Sequence, residues 1–315
     1  MKIVVLDRKS LGEDTPLDVL FKFGEVIIYD ETRSEDIIPR VLDANVIVLN
    51  KVKISEDVIA NAKALKLICI FATGYDNIDV VAARKYGVGV CNVPGYSTDS
   101  VALFTVANVL SLYTKLREYN DYVVSGEYSK SGVPNKLAPV YHEIRGKTWG
   151  IIGLGSIGRA VAEVAKALGA KVIANKRNPV EDFECVDIDT LCRESDIITI
   201  HCPLNDESRH LINKERIAIM KKDVVIVNEA RGAVVNELDI ADAIKEKMIG
   251  AFGSDVYSVE PFATDHPFYE IKGFYNVLFT PHAAWGSYES RLRCINVISD
   301  NIASYIAGDK KNRVD

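Results

Sequence analysis

No uncharged apolar run in the chain approaches ~18 residues, so nothing in it reads as a membrane-spanning helix. Its six cysteines, Cys69, Cys91, Cys185, Cys192, Cys202 and Cys294, form no Cys-x-x-Cys pair. The usual zinc and dithiol signatures are therefore missing, and no metal site is expected. Most of these cysteines sit in apolar runs, which reads as buried thiols in a reducing cytoplasm. Positive charge is not in excess: 38 Lys plus Arg stand against 44 Asp plus Glu, for a net charge of −6. A nucleic-acid role would need a local basic stripe, and none of useful length is present. The opening Met1-Lys2-Ile3-Val4-Val5-Leu6-Asp7-Arg8 has too short an apolar stretch for a secretion signal and reads better as a first strand. There is no internal repeat and no low-complexity tract. What is there is ordinary for a globular protein: 315 residues, 48% apolar and 26% charged. At roughly 150 residues per domain, that predicts two domains or one large one.

Short β-branched runs alternate with amphipathic stretches along nearly the whole length. The first series is Ile3–Leu6, Val26–Tyr29, Val46–Leu49, Leu67–Phe71 and Val88–Cys91. The second is Thr148–Ile152, Lys171–Ala174, Asp196–Ile200, Asp223–Val227, Gly250–Gly253 and Val277–Phe279. Continuous apolar strands separated by helical patterns indicate parallel sheets covered on both faces. The fold class is α/β, and this many strands fit two doubly wound parallel sheets better than one. The join is marked by the turn cluster Pro94-Gly95-Tyr96-Ser97-Thr98. A helix follows at Val101–Leu116, apolar nearly all round, with Ser97, Thr98 or Asp99 as its cap. Residues 118–146, with Gly126, Gly132, Pro134 and Pro139, read as a polar excursion. From Gly286 the chain is helical again, with Leu292, Ile295, Ile298 and Ile302 on one face and no strand after it.

The segment Thr148 to Ala160 is strand, then Gly153-x-Gly155-x-x-Gly158, then helix. Gly153 permits the tight turn, Gly155 lets backbone approach a pyrophosphate, and Gly158 lets helix and strand pack closely. With the flanking strand, helix and next strand all present, this spacing predicts a dinucleotide site on the helix N-terminus. An NAD site usually carries an acid at the end of the second strand, to bond the ribose hydroxyls. Here that strand ends Asn175-Lys176-Arg177, with no carboxylate before Glu181. An amide and two cations favour a 2′-phosphate, so NADP(H) is the preferred cofactor, with NAD(H) as the alternative.

Three more strand ends carry polar residues: Asn228-Glu229-Ala230-Arg231-Gly232, Asp255 to Pro261, and Pro281-His282. Open α/β sheets bind ligands beyond these carboxyl ends. Arg231 is a fork that can hold a carboxylate. His282 can carry the proton that must accompany hydride transfer. Glu260 can touch that histidine, orienting it and favouring its charged form.

On these residues the chain resembles the D-isomer-specific 2-hydroxyacid dehydrogenase family. The resemblance runs through Thr73 to Asp79, Asn92 to Ala102, the glycine loop, His201-Cys202-Pro203-Leu204, Asn228 to Gly232, Asp255 to Pro261 and Pro281-His282. Tyr96-Ser97-Thr98 and His282-Ala283-Ala284-Trp285 are most similar to the glycerate dehydrogenase and hydroxypyruvate reductase branch. It implies a Rossmann cofactor domain at 97–281 and a flavodoxin-like substrate domain at 1–96, completed by a C-terminal helix at 282–315. It implies His282 as acid/base, Glu260 as its partner and Arg231 as substrate anchor. Backbone N–H groups of Thr73 and Gly74 would hold the substrate carboxylate. Ser156 and Ile157 would meet the pyrophosphate, Cys202 and Pro203 would line the ribose and adenine side, and the Ala230 carbonyl and Asp255 would grip the nicotinamide amide. The expected substrate is a small 2-oxo or 2-hydroxy acid, such as hydroxypyruvate or glyoxylate. The expected assembly is a homodimer through the helix after residue 100. D-lactate-type, phosphoglycerate-type and formate dehydrogenases on this fold are alternatives, as is a non-catalytic dinucleotide-sensing corepressor. Glu229 is an uncommon charge for its segment, and the sequence offers no reason for it.

Overall fold

The structure is a computed structural model that describes residues 1–315. The chain divides into two compact units, Met1–Ser97 with Gly286–Asp315, and Thr98–Trp285. The second boundary thus falls after Trp285 rather than after residue 281. The reason is local: the buried carboxylate of Asp255 accepts the N–H groups of Ala283 and Ala284, each at 2.8 Å, and ties them to the second unit.

The first unit holds a five-stranded sheet: β1 (Lys2–Val5), β2 (Glu25–Ile28), β3 (Val46–Leu49), β4 (Leu67–Ile70) and β5 (Gly89–Cys91). All pairs are parallel and the order is β2-β1-β3-β4-β5, the flavodoxin-like arrangement. Strands β3 and β4 are buried at every position, which is why they read as unbroken apolar runs. The helix Tyr288–Ile306 belongs to this unit and buries Cys294, Ile295, Ile298 and Ile302. Its start is capped by Ser287, whose hydroxyl accepts the Ser290 N–H. The tail beyond it is not structureless. Arg313 bridges to Cys91 in antiparallel sense, and the Val314 N–H donates to the Val90 carbonyl at 2.9 Å. These residues cover the β5 edge, which an isolated two-residue pairing hides from sequence inspection.

The second unit holds seven parallel strands: β6 (Thr148–Ile152), β7 (Lys171–Asn175), β8 (Glu184–Cys185), β9 (Ile197–Ile200), β10 (Val225–Asn228), β11 (Ala251–Ser254) and β12 (Val277–Phe279). Their order is β12-β11-β10-β9-β6-β7-β8, the Rossmann pattern with one strand added beyond β11. β8 was not expected; two partly exposed residues carry no periodicity to read. The order reverses at β6, so ligand-binding loops gather at the carboxyl ends of β6, β9, β10, β11 and β12.

The helix expected at Val101–Leu116 spans Thr98–Tyr113. Lys115 then takes a left-handed φ of 57°, which breaks it. Ala102, Val109, Leu112 and Tyr113 join Trp149, Ile151 and Val227 in one core cluster, so most of the helix is covered within the chain. Residues 118–146 are not a plain excursion either. They hold most of the helix Leu116–Val124 and all of the helix Glu127–Ser131, punctuated by Gly126 (φ 79°) and Gly132 (φ 64°). Large apolar side chains stay exposed there, including Val124 at 76% and Leu137 at 79%.

Candidate active site

At the carboxyl end of β6, Gly153 adopts φ 92°, and a Cβ there would lie 2.5 Å from the Cys202 nitrogen. The turn therefore packs directly on the His201-Cys202 backbone at the end of β9. Gly158 is equally constrained, since a Cβ would meet the Gly153 carbonyl oxygen at 2.2 Å. Gly155 differs: nothing lies within 4 Å of its Cβ position. It is the N-cap of the helix Ser156–Ala167, with no side-chain cap and no acidic residue in the first turn. An uncapped helix start behind an open glycine fits a bound pyrophosphate. His201 adds a second sign. Both ring nitrogens are buried without a hydrogen-bond partner, and burial pushes its pKa down to about 3, so the ring is neutral. Burial likewise pushes the Cys202 thiol up to about 11, which leaves it protonated and unreactive. Pro203 is held beside it by the Ser208 hydroxyl, which donates to the Pro203 carbonyl at 2.7 Å.

The end of β7 separates the three residues read there as a cofactor selector. Asn175 donates its side-chain amide to the Val186 carbonyl at 3.0 Å and so braces its own loop. Lys176 turns its ammonium back to the Leu154 carbonyl, inside the glycine turn, at 3.4 Å. Arg177 is paired with Glu207 at 2.5 Å on an exposed surface. The two cations are therefore unequal, a distinction no spacing rule could supply.

At the ends of β10, β11 and β12 the catalytic candidates form a connected set. Arg231 Nη1 donates to the Ala230 carbonyl at 2.9 Å. Gly232 allows this loop to press on the next: a Cβ at 232 would meet the Tyr257 backbone carbon at 2.0 Å. Glu260 accepts the Tyr257 N–H on Oε1 at 3.0 Å, while its Oε2 lies 2.6 Å from His282 Nδ1. With Nδ1 facing a carboxylate, that nitrogen carries the proton, and Nε2 is the ring nitrogen that Glu260 does not engage. His282 itself has φ 53°, a left-handed conformation that histidine tolerates better than most residues. Asp255 fixes it there. Its Oδ1 accepts the Thr280 hydroxyl at 2.6 Å and the Ala283 N–H, and its Oδ2 accepts the Ala284 N–H. Asp255 thus has a structural duty that the sequence did not reveal.

Glu229 acquires an explanation as well. It is buried beneath this loop, with Oε1 accepting the Asn108 side-chain amide at 2.6 Å and Oε2 without a partner. Burial, reinforced by the nearby Asp255 charge, pushes its pKa up to about 8. Thr73 and Gly74 lie in the first unit, beyond β4. Thr73 is locked there by its hydroxyl donating to the Val93 carbonyl and by its own carbonyl accepting the Asn92 amide, both at 2.8 Å. No cluster of His, Cys, Asp and Glu has the geometry of a metal site, and no helix is long and apolar enough to cross a membrane.

Comparison with known proteins gives this arrangement a class. Residues 106–284 match the NAD-binding domain of the D-isomer specific 2-hydroxyacid dehydrogenases. A hydroxypyruvate reductase of Blautia hydrogenotrophica is 37% identical over 325 aligned residues, covering 100% of this chain and 99% of that protein. A glyoxylate reductase of Aeropyrum pernix is 34% identical, covering 93% of this chain and 90% of its own. Among solved structures, an acyclic imino acid reductase in complex with NADPH and D-Arg aligns over the whole of both chains, with a TM-score of 0.87 and 30% identity. The protein belongs to the D-isomer-specific 2-hydroxyacid dehydrogenase family, and to its glycerate dehydrogenase and hydroxypyruvate reductase branch.

Proposed function

We propose that the protein reduces hydroxypyruvate or glyoxylate to the corresponding 2-hydroxy acid, with NADPH as preferred reductant, and that it works as a homodimer in the cytoplasm. The observation that carries the chemistry is the 2.6 Å contact between Glu260 and His282 Nδ1, beside a loop that presents Arg231. When bound, the nicotinamide supplies the hydride that forms the new C–H bond at the 2-oxo carbon. His282 supplies the proton to the carbonyl oxygen from Nε2, and Glu260 stabilises the charged ring before that transfer. Arg231 holds the substrate carboxylate and polarises the carbonyl, a task suited to a planar fork. Thr73 and Gly74 add backbone donors to the same carboxylate. Ser156 and Ile157 N–H groups would take the pyrophosphate, Cys202 and Pro203 the ribose and adenine side, and Asp255 and the Ala230 carbonyl the nicotinamide amide. A panel of hydroxypyruvate, glyoxylate, pyruvate and phenylpyruvate, followed at 340 nm with NADPH and NADH, tests the reading. Absence of turnover with every member would refute it in favour of a non-catalytic sensor.

Cofactor preference rests on what β7 lacks. With no acid to repel a 2′-phosphate, NADPH is expected to exceed NADH by about tenfold to a hundredfold in kcat/KM, or ~1.4 to ~2.8 kcal/mol. Lys176 lies on the glycine turn whereas Arg177 is engaged by Glu207, so Lys176→Ala should erase more of the preference than Arg177→Ala. Equal efficiency with both cofactors in the unmodified enzyme would make both cations ordinary surface charge.

The dimer rests on the exposed apolar side chains that follow the helix Thr98–Tyr113: Leu116, Val123, Val124, Leu137, Val140 and Tyr141. Two-fold pairing is the commonest way to cover such a surface. Light scattering at micromolar concentration should give about 70 kDa, twice the 34.8 kDa chain. A mass that stays at one chain would overturn this element. A reducing compartment is supported by six cysteines that are all unpaired thiols.

A further inference from the structure

We propose that Glu237 and His266 form a clasp that positions Glu260, and through it His282. They are positioning residues with no contact to substrate of their own; the proposal rests on His282 and Glu260 being the acid–base pair.

Glu260 is carried on a loop that runs from the end of β11 to the short helix Pro267–Ile271. A single carboxylate from outside the loop grips both of its ends. Glu237 opens the helix Glu237–Lys245. Its Oε1 accepts the Ser258 N–H at 2.9 Å, two residues before Glu260. Its Oε2 lies 3.0 Å from His266 Nε2, six residues after Glu260. The two side chains are only 10% and 11% exposed, so the contact is largely shielded from solvent competition.

The rest of His266 fixes which proton makes that bond. Nδ1 accepts the Phe268 N–H at 3.1 Å, as the N-cap of the Pro267–Ile271 helix. An accepting Nδ1 leaves the ring proton on Nε2, where it donates to Glu237. The ring is also wedged between Phe262 and Phe268, with centroids 4.9 and 5.0 Å away. Every polar atom of the pair is thus committed to holding loop 258–266, and none is left over for a ligand. Between the two grips, Glu260 spends one oxygen on the Tyr257 N–H and the other on His282. The loop's hold on its own acid is therefore set by where Glu237 and His266 put the backbone.

The test uses the full-length protein with Glu237→Gln, His266→Asn and Glu260→Gln. Glutamine at 237 offers one oxygen to two donors, so one grip is lost. Asparagine at 266 keeps an N-cap acceptor for Phe268 but is too short to reach Glu237, which separates the clasp from the cap. Three quantities are measured: kcat/KM with the 2-oxo acid that the unmodified enzyme reduces, cofactor affinity by nicotinamide fluorescence, and the ring NMR signals of His282 at one fixed pH. Both clasp variants are expected to lower kcat/KM by about tenfold or more with cofactor affinity unchanged. The His282 ring signals should move toward their positions in Glu260→Gln, as the contact to Glu260 is loosened. Adding Glu237→Gln to Glu260→Gln should cost nothing further, because the two act through one contact. His282 ring signals that stay put while only the melting temperature falls would overturn the clasp, as would additive losses in the double variant. If the unmodified enzyme reduces no 2-oxo acid, the functional reading fails, and the His282 ring signals still decide the clasp.

Discussion

Replacing His282 with alanine is expected to lower kcat by about 10²- to 10⁴-fold, the usual contribution of a positioned general acid, while cofactor affinity changes little. The elements proposed to hold the dinucleotide, Gly153 to Gly158 and the end of β7, share no hydrogen bond with the His282 ring. The effect should therefore fall on the proton and not on binding. Glu260→Gln should give a smaller loss, since an amide can still orient the ring but cannot stabilise its charge. Arg231→Lys should mainly raise KM and lower kcat/KM, because an ammonium cannot make the forked contact. Steady-state kinetics with hydroxypyruvate, paired with nicotinamide fluorescence for cofactor binding, separates these outcomes. Turnover within a few-fold of normal in His282→Ala would assign the proton to another group.

Glu229→Gln is expected to stabilise the protein, and increasingly so as pH rises. The folded-state pKa of Glu229 is raised from 4.5 to about 8, chiefly by burial. The unfolded chain releases this proton near ~4.3, whereas the folded chain keeps it until pH approaches 8. Between those values the folded state binds more protons, so stability falls as pH rises. At ~1.4 kcal/mol per pH unit over this interval, the penalty accumulates to the order of 4–5 kcal/mol by pH 8. Glutamine is neutral throughout and keeps an oxygen for the Asn108 amide, so it escapes the penalty without leaving a hole. Urea unfolding of both proteins at pH 5, 6.5 and 8 is the measurement. The gap should widen with pH; a constant gap would mean that Glu229 is ionised in the fold.

Much of the fold could be read from the chain because the informative strands are buried on both faces. β3, β4, β9, β10 and β11 are covered at every position, and such strands must be apolar throughout. The glycine turn was legible for a related reason: Gly153 and Gly158 stand where a side chain has no room. What escaped notice depends on atoms whose partners are distant in sequence. The ties from Asp255 to Ala283, from Glu237 to His266 and from Glu229 to Asn108 span 28, 29 and 121 residues. No local pattern marks such polar pairs, since each residue also has an ordinary surface role. The helices within 116–131 were missed because glycines at 126 and 132 read as loop residues, though here they end short helices.

The first unit is interrupted in the chain, and that sets an order of events during synthesis. Residues 1–97 emerge first but lack the helix Tyr288–Ile306 and the tail that pairs with β5. Until these arrive, the early sheet has an open edge and an uncovered apolar face. All of Thr98–Trp285 must be made in between, and at about 5–20 residues per second that takes roughly ten to forty seconds. The continuous second unit can complete itself in that interval. The usual sequence is thus inverted: the unit whose first residues are made earlier is the last to close, and its open sheet edge stays unpaired until the later residues arrive.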